Sequence, residues 1–429
     1  MNRLARIVGI VTVAATAATA AFAQVNLPGL PQSPLPQLPK VADPVTDTLR
    51  KTNSTLTEAR KFRVRELLRT DRATVEKGPD GHPILRRQVG ALSPTPEALQ
   101  RAREAGFIVL RTDHLEALGT TLVVLEAPEG LSTRRALGKL RELDPGGQYD
   151  FNHVYVGSGA ETEEATEAHA PPPRPPVPAG ARVGLIDTGI EGAHPALAGA
   201  TIVRHGCDDE IHPGPHGTAV ASLLVGEAPG FEGVIPGATL YAADIFCGHG
   251  GGSLSRLAVE LDWMARERVA VVNISLVGAK SALLTGLVRA MTSRGYLLVA
   301  AVGNDGPTAP PLYPAAYPDV IGVTGVDAKR RVLPEACRGD QVDFAAAGAG
   351  LSAAAVGGGY EDVRGTSFAT PVVAGMLARL QQTPDPVGAR AALDSLAAGA
   401  IDIGNNGIDP SYGKGLVGVE LRPGRREEN

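Results

Sequence analysis

The sequence predicts an α/β protein: a doubly wound, mostly parallel sheet flanked by helices, preceded by a small ferredoxin-like α+β unit. Three observations carry this. Between residues 181 and 380, short all-apolar runs alternate with helix-length segments, the rhythm of βαβ units with both sheet faces covered. Residues 83–156 read in the order β-α-β-β-α-β. A Pro-rich stretch, Glu161–Gly180, which contains Pro171-Pro172-Pro173-Arg174-Pro175-Pro176, separates the two as a semi-rigid linker.

In chain order, the first segment reads as an export signal. Arg3 and Arg6 form a basic start, Ile7 to Ala20 is apolar and Ala-rich, and Ala21-Phe22-Ala23 is an A-x-A cleavage site. The mature chain is expected to begin near Gln24. A membrane anchor is the competing reading, but the stretch is short and ends in small residues. The protein is therefore expected to be exported, to the periplasm or the extracellular space, with no membrane span after cleavage. Residues 24–47 are rich in Pro, Leu and Gln and read as an extended tail. Residues 48–77 are helix-like and basic (Arg60, Lys61, Arg63, Arg65, Arg69, Arg72), a pattern that suits a solvated helix face better than a membrane or partner surface.

The α+β unit follows. Ile84–Leu92 is a predicted strand, Pro96–Ala105 a helix, Phe107–Arg111 and Thr120–Glu126 strands, Thr133–Leu143 a helix and Tyr149–Val156 the last strand. Beyond the linker, strands and helices are predicted to alternate over 182–187, 201–204, 217–226, 239–245, 254–266, 269–274, 281–294, 297–302, 319–325 and 367–380.

At 429 residues, two domains are the natural expectation. Few aromatics (4%) and many glycines (52) suit close helix-on-sheet packing. A net charge of −5 gives no case for nucleic-acid binding. Residues 1–180 carry 22 Lys+Arg against 20 Asp+Glu, and residues 181–429 carry 19 against 26. Opposite signs favour docking of one half on the other.

Four residues stand where chemistry is possible. The run Val183-Gly184-Leu185-Ile186 delivers Asp187 at the end of a buried strand. His216 opens a small-residue helical segment, Asn304 follows the buried run Leu297 to Val302, and Ser367 starts the helix after Gly365. Each has a modest structural role on offer: a turn, a helix cap, a second turn, another cap. Together they supply a nucleophile, a base, an orienting acid and an oxyanion donor. His212 and His216 are four apart, but Pro213 and Pro215 break a zinc-like helix pair. His194 and Trp263 read as structural.

Asp187-Thr188-Gly189, His216-Gly217-Thr218, Gly303-Asn304 and Gly365-Thr366-Ser367-Phe368-Ala369-Thr370-Pro371 stand in the order Asp, His, Asn, Ser, and with Asn273-Ile274-Ser275-Leu276 they resemble the subtilisin-like serine peptidases, the subtilases. The similarity runs from about Ala181 to about Leu380. The resemblance implies a secreted serine endopeptidase in which Asp187, His216 and Ser367 form the triad. The Asn304 side chain and the Ser367 N–H would form the oxyanion hole. It also implies that polypeptide substrates bind as an extended strand along Ser275, Leu276, Val277 and Gly278, beside Ala301, Val302 and Gly303, with the Gly-rich segment Cys247–Leu254 opposite. Residues 48–160 take the place of the prodomain that precedes many subtilases. They would act as intramolecular inhibitor and chaperone of a zymogen that cuts itself near Val154–Gly159 or in the linker. Residues 181–429 would be the peptidase domain.

Val277 and Val302 depart from the family pattern, at a usual glycine and a usual alanine. Their bulk predicts a narrowed S1 pocket that prefers small or medium apolar residues. Cys207 and Cys247 fall in loops at the same edge of the predicted sheet and are the expected disulfide, with Cys337 free. No cofactor is expected. No Asp/Glu cluster has EF-hand spacing, and a need for calcium is not legible in the sequence. The alternatives are a catalytically silent subtilase-fold binding protein and a serine esterase; the second lacks a GxSxG elbow, since Ala369 replaces the second glycine.

Overall fold

A computed structural model describes residues 60–158, 160–161, 176–421 and 423–425. The expected export signal, the Pro-rich tail and most of the expected linker lie outside the described residues. Among the described residues, no helix is long and apolar enough to cross a membrane.

The N-terminal part opens with helix α1 (60–70) and strand β1 (Val75–Lys77). Then come β2 (Pro83–Leu92), α2 (Pro96–Glu104), β3 (Ile108–Leu115), β4 (Thr120–Glu126), α3 (Thr133–Leu143) and β5 (Gln148–Gly157). The four long strands stand in the order β5-β2-β4-β3, all antiparallel, and β1 pairs with β2. Both helices begin where a hydroxyl can cap them: Thr95 accepts from Ala98 N–H, and Ser132 from Arg135 N–H. Strand β3 runs four residues past its predicted end at Arg111. Its continuation, Thr112-Asp113-His114-Leu115, is mostly polar, which an edge strand with one neighbour tolerates. The small core under α2 and α3 is Ile84, Val89, Phe107, Leu125, Leu137 and Leu140 with their neighbours.

After a short strand β6 (Ala160–Glu161), the larger part begins. It runs through β7 (Arg182–Asp187), β8 (Ile202–His205), α4 (Pro215–Val225), β9 (Glu227–Ala228), β10 (Phe231–Glu232), β11 (Thr239–Asp244), β12 (Gly252–Ser253), α5 (Leu254–Arg266), β13 (Val271–Ile274), β14 (Leu276–Val277) and α6 (Ala282–Thr292). It ends with β15 (Leu297–Ala301), β16 (Ile321–Val326), β17 (Phe344–Ala347), β18 (Leu351–Ala354), β19 (Tyr360–Arg364), α7 (Thr366–Leu380), α8 (Pro386–Ala398) and β20 (Gly424–Arg425). The main sheet is parallel throughout, in the order β17-β16-β15-β13-β7-β11-β8. Its central strands are apolar on both faces because helices cover both. Leu223, Val372 and Leu377, from α4 and α7, pack on one face; Leu257, Leu261, Leu284 and Leu287, from α5 and α6, pack on the other. The predicted doubly wound sheet is therefore the observed one. Chain order reverses beside β7, so its C-terminal end opens onto the crevice where such folds hold ligands.

The two parts meet where β5 and the sheet of the N-terminal unit lie on α5 and α6. Asp150 Oδ2 accepts from Ala282 N–H at 2.7 Å, and Asn152 Oδ1 from Ser255 N–H at 3.1 Å. Two residues on one face of β5 thus cap the starts of α6 and α5, satisfying N–H groups that a helix cannot satisfy itself. Leu118 N–H donates to Asp262 Oδ1. The docking expected from overall charge is made by these directed bonds together with Leu115, Leu118, Leu122 and Tyr155, which share a core with α5 and α6.

Candidate active site

Asp187 is the last residue of β7 and only 1% exposed. Its Oδ1 accepts from Thr188 N–H at 2.7 Å, which fixes the carboxylate at the strand end. His216 lies in the first turn of α4. Pro215 sits at the helix start, where its missing N–H costs nothing, so α4 begins there and His212 lies outside it, as the two prolines imply. Gly217 is required by proximity: a Cβ there would collide with the Thr188 carbonyl. Thr188 Oγ1 also accepts from Gly217 N–H at 2.8 Å, which ties the helix start to the strand end.

His216 Nδ1 lies 2.8 and 2.9 Å from the two Asp187 carboxylate oxygens, and Nε2 lies 3.0 Å from Ser367 Oγ. A carboxylate only accepts, so Nδ1 carries the proton and Nε2 is left as the acceptor facing the hydroxyl. This is the tautomer a general base needs.

Ser367 is the second residue of α7, behind Gly365 at φ +137°, a backbone that side chains disfavour. Its N–H has no partner within the helix, as for every residue of a first turn. Pro371 adds a second consequence. Having no N–H, it leaves the Ser367 carbonyl without its helical donor. Ser275 Oγ supplies that donor at 3.0 Å and is itself held by Asn273 Nδ2 at 2.8 Å. Asn304 is 9% exposed, and its Oδ1 accepts from Thr366 N–H at 3.1 Å. The amide NH2 is then the group left for a ligand. Thr366 Oγ1 accepts from Gly303 N–H, joining the β15 and α7 loops.

The sequence placed Ser275, Leu276, Val277 and Gly278 along the cleft. Here β14 pairs antiparallel with β5, Leu276 opposite Gly157 and Val277 opposite Val156. On the other side Gly252 and Ser253 pair with Tyr155 and Val154. The end of β5 is thus the middle strand between the two segments expected to hold a peptide. Gly157 lies against the His216 ring, where a Cβ would be 3.7 Å away. Tyr155 is fully buried, and its hydroxyl donates to Ala279 O. Gly278 bridges to Tyr313. Ala301 and Val302 are fully buried, Val302 in the cluster that also holds Tyr155, Leu276 and Val277.

Cys207 and Cys247 form a disulfide, and Cys337 is free and buried. Burial pushes the Cys337 thiol up to about 11, which leaves it a poor nucleophile. Among the described residues, Cys207, Asp244 and Cys247 are the His/Cys/Asp/Glu group close enough for a metal, and both sulfurs are committed to the disulfide. His194 is a structural residue: Nδ1 accepts from Ala196 N–H and Nε2 donates to Gly359 O.

Residues 179–415 match the family model described as the subtilase family. The chain belongs to the subtilases. It is 33% identical over 243 residues to the minor extracellular protease Epr of Bacillus subtilis (strain 168), covering 55% of this chain and 37% of that protein. It is 34% identical over 250 residues to subtilisin E of the same organism, covering 56% of this chain and 64% of that protein. The chain thus spans less than two thirds of each of these relatives. The crystal structure of fervidolysin from Fervidobacterium pennivorans, described as a keratinolytic enzyme related to subtilisin, superposes with a TM-score of 0.66. It has 21% identity and covers 80% of this chain and 62% of that one, a likeness of fold.

Sequence reasoning left several contributors to this subtilase site unnamed. Thr366 and Tyr155 at the site, and Asp150 and Asn152 at the join that holds β5 there, each act through a contact distant in sequence. The proline at 371 was the one available signal, since it demands a replacement donor for the Ser367 carbonyl.

Proposed function

We propose that this subtilase is an exported serine endopeptidase, made as a zymogen and working without a cofactor. The observation that carries this is the continuous Asp187–His216–Ser367 chain of hydrogen bonds with a strand of polypeptide laid against His216. Ser367 Oγ attacks a peptide carbonyl as His216 Nε2 takes its proton, and Asp187 stabilises the imidazolium that forms. The Ser367 N–H and the Asn304 amide receive the oxyanion. His216 then protonates the leaving amine, and water completes the cycle by the same route.

The first substrate is the chain itself. Continuing the β5–β14 register by one residue sets Ser158 opposite Ser275, and Ser158 is buried, with its Oγ 3.5 Å from Ser275 O. Residues 160 and 161 pair with Arg364 and Val363 of β19, on the far side of the nucleophile. These two pairings support the bond after Ser158 as the proposed cut. Residues before it form the prodomain. A small residue at the cut agrees with the bulk of Val277 and Val302, and the mature enzyme is expected to favour small or medium apolar residues there.

A fluorophosphonate probe tests the core of the reading. It should label the processed protein at Ser367 with loss of hydrolysis of a fluorogenic peptide; hydrolysis surviving complete labelling would overturn it.

A further inference from the structure

Helix α1 precedes the α+β unit, contributes no strand to its sheet and lies over the strand that occupies the cleft. Two of its side chains reach the walls of that cleft, and a third holds the strand within it. Arg60 Nη1 is 2.7 Å from Asp305 Oδ2, and both side chains are 11% exposed. Asp305 follows Asn304 directly. Arg60 Nη2 lies 3.0 Å from His82 Nδ1. A guanidinium cannot accept, so His82 accepts there and is held neutral with its proton on Nε2. Arg63 Nη2 donates to the Gly157 carbonyl at 3.0 Å, on the residue before Ser158. Leu67 is buried with Val75, Val154 and Val156, and it packs against Gly250 and Gly251, where a Cβ would meet it at 3.2 and 3.5 Å.

We propose that α1 is a strap, outside the α+β unit itself, whose Arg60 and Arg63 slow release of the cut segment from the cleft. The inference rests on the self-cleavage reading above. The main-chain bonds of β5 to β12 and β14 are ones that any extended peptide can replace. The strap's contacts are not replaceable in this way. Arg63 grips the strand just ahead of its new end, and Arg60 anchors the helix beside the oxyanion donor. Truncating one partner of a buried, hydrogen-bonded charge pair in the docked state leaves the other charge buried and unpaired and raises the off-rate, so loss of Arg60 should speed release of the cut segment. Arg60 and Arg63 thus set the interval between the cut and the first turnover of another peptide.

The test uses the full chain. Precursor cleavage is followed by gel and intact mass, and hydrolysis of a fluorogenic peptide is followed in the same sample. In the wild type, activity should lag behind cleavage. In Arg60→Ala/Arg63→Ala, cleavage should continue while the lag shortens roughly tenfold or more. The final activity should equal that of the wild type, because both residues leave with the cut segment. If the double variant yields no folded protein, Arg60→Lys carries the test. It keeps the charge on Asp305 without the planar fork that also reaches His82, so an intermediate lag is expected. Equal lags in the wild type and the variants, with Ser367→Ala remaining uncut, would overturn the strap alone. A Ser367→Ala chain that still cuts itself would overturn the self-cleavage reading and the strap with it.

Discussion

The peptidase part and the N-terminal unit are built by different logic. The peptidase part is covered on both faces of its sheet by its own helices; one of its cores is its own, and the other takes in Leu115, Leu118, Leu122 and Tyr155 of the N-terminal unit. The N-terminal unit has a small core on one face, and its other face depends on α5 and α6. Its last strand ends against His216. On our reading, one part holds the chemistry, and the other is shaped to fit it and to be removed. A parallel sheet built from distant strands closes many long loops before it gains contacts, so an attached unit that caps two of its helices is suited to help it fold.

The sharpest way to separate the two parts is Ser367→Ala. Peptide hydrolysis should fall by about 10⁶, while the fold and the docked N-terminal unit persist. Circular dichroism and a peptide assay check both halves. Asn304→Ala should come next, with kcat lower by about 10²–10³ and KM little changed, the cost of one lost oxyanion donor. A change confined to KM would remove Asn304 from that role.

Ser275→Ala tests a contributor shared by the strand and the nucleophile. It removes the donor to the Ser367 carbonyl and should cost about 1–2 kcal/mol of stability, read as a shift in the denaturant midpoint. A roughly tenfold fall in kcat should accompany it, because a small displacement of the nucleophile is enough.

The smallest expected effect concerns the join between the parts. His82 faces Arg60 of α1, Asp80 of its own turn, His153 of β5 and Asp305 of the peptidase part. Burial, then the Arg60 charge and to a lesser degree His153, hold its pKa below the ordinary 6.5, against the opposing pull of Asp80 and Asp305. The docked state therefore binds fewer protons than the released state. Docking is at full strength above about pH 6.5 and weakens as the pH falls from there toward the lowered pKa. The lag between cleavage and activity should shorten by a few-fold between pH 7.5 and 5.5, and His82→Gln should flatten that dependence. An unchanged slope in His82→Gln would assign it to another group.

Much of the peptidase part was legible because its residues answer local demands. Asp187 ends an apolar strand, Gly217 sits where a Cβ would strike a carbonyl, and Gly365 takes a positive φ ahead of a helix. Such demands write short motifs. The order of elements in the N-terminal unit was legible from periodicity, since strands and helices bury one face each. Arg60 and Arg63 were not legible: the bland reading of the basic segment as a solvated face is right for Arg69, paired with Glu66 on the surface, and wrong for Arg60. Nothing around residue 60 announces a partner 245 residues away. The extra length of β3 was hidden for a related reason, because an edge strand need not be apolar.

The most direct test of the central claim is the N-terminal sequence of the processed protein, with the Ser367→Ala chain purified alongside. A new terminus is expected at Gly159 in the wild type, with an intact 158–159 bond in the variant. A terminus elsewhere in the peptidase part, or an equally cut Ser367→Ala chain, would contradict it.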